Sequence, residues 1–298
     1  MGTGRFEQDS GPTGGLPGQP APKPDLWRRV RRAALGVLGA GDPAKERTSL
    51  YLAFEEGAFT NLVGAIADCL GEDTVYRGVV SILEEAVDSP PTPGDRRFAV
   101  FNLARVHVAR AALQSDPVRR RAPLASASAA LSSLGPPARE VAWIDLQGEV
   151  ESLRGNVAVA ISHFERLTAI TGNPAVAATR VAETLRRAGR LDEATAMVEK
   201  GLRADKDGRR WRHRLYQLLG MIEVDRGRIG EAEACLKRST DVVQDSAEPW
   251  AFQTGLAIAL LRRGRIAAVK AYADAAEKHL PGDPDAADLR ARVAGGKA

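Results

Sequence analysis

The chain has 298 residues, 44% hydrophobic and 27% charged, the composition of a soluble globular protein able to bury a sizeable core. Its net charge of +4 is small for that length, and only eight of the 42 basic residues are lysine, so charge alone does not mark a polyanion binder. Two distant cysteines and four scattered histidines supply neither a disulfide framework nor a metal-ligand spacing; no metal or cofactor is expected, and a reducing compartment is the simplest fit.

Residues 1–24 are rich in Gly and Pro and lack an apolar core of signal-peptide length, which predicts a disordered tail rather than an export signal. No run approaches the roughly 20 apolar residues that span a bilayer, so a cytoplasmic location is the default expectation. Residues 25–40 are the one basic amphipathic stretch. Leu26, Val30, Ala33 and Val37 recur at i, i+4, i+7 and i+11, with Trp27, Arg28, Arg29, Arg31 and Arg32 among them. Such a helix can cap the body, rest on an anionic membrane as a peripheral contact, or dock a partner.

Asp42-Pro43 can cap and start a helix to about residue 56, and Gly57-Ala58-Phe59 turns it into a second arm over 60–70. A further helix over 73–87 meets Pro90-Pro91-Thr92-Pro93-Gly94, the clearest break within an N-terminal helical region of residues 25–94. Residues 95–140 form a degenerate hairpin, with helices over 96–113 and 118–134 around Ser115-Asp116-Pro117, closed by Gly135-Pro136-Pro137.

From residue 141 to 298 the chain has a period. Gly155, Gly189, Gly227 and Gly264 are 34, 38 and 37 residues apart, each between two helix-prone stretches of about 14 residues. Each glycine stands where a helix ends left-handed, and arginines gather just before it at the negative end of the helix dipole (Arg186, Arg187, Arg226, Arg262, Arg263). An apolar residue two positions on (Val157, Leu191, Ile229, Ile266) suits the turn. A small one five positions on (Ala160, Ala194, Ala232, then Val269) lets two helices cross closely. A larger apolar one follows four later (Phe164, Val198, Leu236, with Ala273 the smallest). Residues 283–293 read as a short polar capping helix.

The 34-residue spacing, Gly148 and Leu219-Gly220 in first helices, and Ala160, Phe164 and Pro281 in or after second ones resemble tetratricopeptide repeats over residues 141–281. The resemblance implies an all-α fold: a right-handed α-solenoid of helix-turn-helix repeats with a helical N-terminal extension. It also implies a concave wall of first helices carrying Asp145, Glu149, Thr179, Glu183, Arg186, Gln217, Met221, Thr254 and Ile258. Some members of that family clamp a partner's C-terminal carboxylate with Lys, Asn and Arg; this wall lacks those lysines and asparagines.

Chemistry argues against two other motifs. Gly39 to Ala44, "GAGDPA", fits a loose dinucleotide pattern, but an arginine-rich helical stretch precedes it where a strand is required. Residues 66–83 resemble a DNA-binding helix-turn-helix, yet the reading helix carries Glu72, Asp73, Glu84 and Glu85 around the single cation Arg77, which repels phosphates. No nucleophile–base order or phosphate loop stands out. The leading expectation is a non-enzymatic adaptor that binds a protein or peptide through the wall. A peptide-responsive DNA-binding regulator and a membrane-recruited assembly factor are the alternatives.

Overall fold

The computed structural model describes residues 70–71, 73–88, 93–135, 141–205, 209–244, 254–279 and 284–295. The tail, the basic stretch with Trp27, Arg28, Arg29, Arg31 and Arg32, and the helices expected over 42–69 lie outside them. Every regular element among the described residues is a helix, with no strands, and the helices pack in adjacent pairs. The chain divides into two compact units at Pro137–Ala138.

The first unit contributes α1 (Asp73–Asp88), α2 (Pro93–Ala112) and α3 (Pro117–Ser132). Pro93 and Gly94, read from sequence as the end of the break, form the first turn of α2, where a proline's missing N–H is harmless. The Asp116 side chain accepts from the Val118 N–H at 2.9 Å and caps α3, with Pro117 as its first residue. α2 packs between its neighbours, burying Ala99, Val100, Ala104, Val106 and Ala111.

The second unit holds α4 (Val141–Arg154), α5 (Val157–Thr171), α6 (Pro174–Arg187), α7 (Leu191–Ala204), α8 (Arg209–Asp225), α9 (Ile229–Gln244), α10 (Gly255–Leu261), α11 (Ile266–His279) and α12 (Pro284–Ala294). Four turns join α4 to α5, α6 to α7, α8 to α9 and α10 to α11, and each contains one of the periodic glycines. Their φ values of 86°, 74°, 77° and 73° lie in the left-handed region. The next residue in each turn returns its N–H to the carbonyl five positions back: Asn156 to Glu151, Arg190 to Leu185, Arg228 to Glu223 and Arg265 to Leu260. One glycine-dependent hydrogen-bond pattern, repeated four times, builds the hairpins.

Packing inside the hairpins follows the small residues. Ala160, Ala194, Ala232 and Val269 are fully buried on the second helices, as are Val198 and Ala273; Phe164 and Leu236 are nearly so. A Cβ at Gly148 would stand 2.5 Å from the Phe164 ring, and one at Gly220 would stand 2.4 Å from Leu256. These two glycines are therefore close-approach positions within regular helix, where glycine would otherwise cost stability. Ile266 differs from its equivalents: Val157, Leu191 and Ile229 are partly buried, whereas Ile266 is 44% exposed. α12 packs on α11 and buries Ala286 and Leu289, closing the apolar end of the array.

Candidate functional site

The first helices form a continuous layer: α4 contacts α6, α6 contacts α8, and α8 contacts α10. Asp145 and Glu149 on α4, Thr179, Glu183 and Arg186 on α6, Met221 on α8 and Ile258 on α10 are all partly buried, as is Thr254 just before α10. Gln217 is the exception. It is 3% exposed, and its amide Nε2 donates to the Ser239 hydroxyl on α9 at 2.9 Å.

Asp145, Glu183 and Arg186 are joined into a ladder. Arg180 on α6 donates to Asp145 on α4 at 2.5 Å. Glu183, one turn further along α6, lies 3.1 Å from Arg187 and 3.6 Å from Arg186. Arg186 reaches on to Asp225 at the end of α8, at 2.7 Å. The ladder thus links three successive first helices. Burial opposes the charge of Arg180, but Asp145, Glu149 and Glu183 outweigh it and raise the guanidinium pKa. Burial likewise opposes ionisation of Glu183, and Arg187, Arg186 and Arg180 together overcome it, holding the carboxyl below its ordinary value.

These pairs leave little net charge on the wall, so it exerts no strong pull on either sign of ligand. Unused hydrogen-bonding capacity does remain. Asp145 Oδ1 and Arg186 Nε are buried atoms with no hydrogen-bond partner among the described residues. Met221 and Ile258 pack against the core formed by α8 to α12, which makes the later part of the layer apolar where the earlier part is ionic. Thr179 turns its hydroxyl back to the Ala175 carbonyl at 2.8 Å, and the Thr254 carbonyl accepts from the Ile258 N–H at 2.8 Å.

A second ladder follows the turns. Arg226 bridges Glu223 at 2.7 Å and Asp192 at 2.5 Å, and Arg265 grips Glu233 through two nitrogens at 2.6 and 2.5 Å. Asp192 thereby serves the turn of the following repeat as well as the start of its own helix.

Two buried polar clusters join residues with no spacing signal in the sequence. In the first unit Tyr76 and His107 share a 2.8 Å hydrogen bond at His107 Nδ1, and Arg110 lies over the Tyr76 ring at 5.3 Å. Arg110 also donates to the Leu70 and Gly71 carbonyls and pairs with Asp73. In the second unit His213 Nδ1 is 2.6 Å from Ser239 Oγ. That distance resembles a base beside its nucleophile, but His213 is 2% exposed and Ser239 fully buried, so no substrate reaches the hydroxyl in this arrangement. Of the candidate DNA-reading stretch 66–83, the helical part belongs to α1, where Arg77 is exposed and lies 3.8 Å from Asp73.

Among the described residues no helix is long and apolar enough to cross a membrane, and no group of three or more His, Cys, Asp or Glu side chains could hold a metal ion. No protein-family model matches the chain, and no curated protein matches it.

Proposed function

We propose that the second unit is a binding scaffold of the tetratricopeptide-repeat type, a right-handed array of four helical hairpins whose first-helix wall is concave. In this reading the protein is a non-enzymatic adaptor acting in the cytoplasm, and it holds a protein or peptide segment along that wall. The supporting observation is the continuous layer of α4, α6, α8 and α10, which presents partly buried polar groups at one end and Met221 and Ile258 at the other. A surface of that kind suits an extended or helical segment that makes hydrogen bonds first and apolar contacts after.

The test is affinity purification from the cell that makes the protein, using wild type, Glu149→Arg, and a Met221→Glu/Ile258→Glu variant. Circular dichroism verifies that each variant keeps its helicity. Loss of the same partner from both variants supports the wall as the binding surface. Retention of every partner by both removes it. Glu183 is a poor probe, because its ion pairs with Arg186 and Arg187 tie binding to stability.

A further inference from the structure

Few large apolar side chains of the described residues stand in solvent. Val159 and Ile266 do so singly, on different hairpins of the second unit, whereas Leu113 and Val118 flank one turn of the first. Leu113 follows the last residue of α2 and is 44% exposed; Val118 is the second residue of α3 and is 62% exposed. Ala112, Pro117 and Ala122, next to them in the chain, are exposed as well. Single exposed aliphatic side chains are ordinary, but two that bracket one turn form a patch.

The same turn gathers arginines. Arg119 and Arg121 are exposed, and Arg120 is partly buried. Asp116 is the acid of the turn; its Oδ1 accepts from the Val118 N–H, and its Oδ2 is 3.9 Å from Arg119. α1 begins beside the end of α2, where Asp73 pairs with Arg110 and lies 3.8 Å from Arg77. Glu84 and Asp88 belong to the last turns of α1 and Asp95 to the first turn of α2, so these acids gather at the opposite end. α3 carries no acid. Among the described residues, the turn end of the first unit is therefore cationic, and its apolar side chains sit within that charge.

Much of the backbone of the turn already has partners. Leu113 and Gln114 donate to the Ala109 and Ala111 carbonyls at 3.2 and 3.1 Å. Arg120 donates to the Gln114 carbonyl at 2.6 Å and to the Ser115 carbonyl at 3.4 Å. Pro117 has no N–H to satisfy. Pressing the turn against a poorly hydrated surface thus strips water from few unpaired amide groups, whose burial is otherwise costly.

We propose that the α2–α3 turn is a docking surface for an anionic lipid bilayer: Leu113 and Val118 enter the headgroup–acyl boundary while Arg119 and Arg121 meet lipid phosphates. The inference is independent of what the first-helix wall binds. An exposed turn between two helices presents an end to a flat partner, not a wall along which a peptide could lie. Stacking on unpaired bases calls for aromatic rings, and this turn has none. Apolar area joined to attraction for anionic headgroups is what holds a protein at a bilayer interface.

The experiment is co-sedimentation of the full chain with vesicles of phosphatidylcholine alone and of a roughly 2:1 mixture with phosphatidylglycerol, at low and physiological salt. Binding is expected to the mixed vesicles and to weaken as salt rises. Arg119→Glu/Arg121→Glu and Leu113→Ser/Val118→Ser are each expected to lower the partition coefficient by about tenfold or more, with helicity kept by circular dichroism. Val118→Trp is expected to raise it by about threefold, because an indole favours the interface, and a gain cannot come from lost folding. The turn variants are expected to act whether or not Arg28→Glu/Arg29→Glu, in the basic stretch, weakens binding. No binding to mixed vesicles, or binding that the turn variants leave unchanged, overturns the proposal. Loss in the arginine variant with no effect from either apolar change also overturns it, and assigns those arginines to general attraction for polyanions, which binding to polyglutamate would share.

Discussion

Arg180 on α6 and Asp145 on α4 are 35 positions apart in sequence and 2.5 Å apart in space, so a single ion pair joins the first helices of two successive hairpins. Their side chains are about a quarter exposed, which places the pair between a screened surface contact and a fully desolvated one. Asp145→Ala is expected to cost about 1–2 kcal/mol, and a double-mutant cycle with Arg180→Ala should give a coupling of about 1 kcal/mol. Urea unfolding measures both. A coupling indistinguishable from zero would mean the guanidinium is held well enough by Glu149 and Glu183.

Gly148→Ala and Gly230→Ala should act in opposite directions. The added methyl at Gly148 meets the ring of Phe164, itself 1% exposed, and is expected to destabilise by about 1–3 kcal/mol through overpacking. At Gly230, an exposed position on α9, the methyl meets nothing within 4 Å and should stabilise by about 0.5–1 kcal/mol. Thermal unfolding of the two variants reads the difference, and a shared sign would contradict it.

Replacing the turn glycines tests the left-handed backbone. Gly189→Ala keeps all side-chain space open, since nothing lies within 4 Å, but forces a Cβ onto a φ of 74°. A loss of about 1 kcal/mol is expected, with Gly189→Asn losing less because asparagine tolerates that region better. Equal losses for the two substitutions would point to a cause other than backbone conformation.

The first unit has its own acid dependence. Burial lowers the His107 pKa to about 4, and an unfolded chain restores 6.5, so the unfolded state binds the extra proton. Stability from the neutral ring is complete above pH 6.5 and declines as pH falls toward 4, by about 3 kcal/mol in all. Exchange of the α2 amides should follow this curve, and His107→Gln should flatten it.

Glu183 contributes at lower pH. Its folded pKa is depressed, so its stabilisation is present above the ordinary carboxylate range and is lost as pH falls through the folded value. Glu183→Gln is therefore expected to destabilise at pH 7 and to lose that penalty progressively as pH falls below the ordinary carboxylate range. A penalty that stays the same size from pH 7 down to full protonation of the carboxyl would assign the effect of the substitution to packing.

The sequence by itself determined the local grammar of the second unit. Gly155, Gly189, Gly227 and Gly264 end their helices in the left-handed region because that conformation is a property of a few consecutive residues. Ala160, Ala194 and Ala232 are buried where spacing put them, because helical periodicity fixes a face. Hairpin positions were legible for the same reason. Only the tertiary structure decided how those faces meet. Gln217 occupies the same register position as Asp145 and Thr179, yet it is buried against Ser239 while they remain partly exposed. His213, Ser239 and Tyr272 come from three helices and have no spacing that announces them. Arg180 and Asp225 complete the ion-pair ladder, although neither stood out beside the many other arginines and acids of the chain. Which partner a long charged side chain finds depends on the rotation and offset between neighbouring helices, and many residues acting together set that offset.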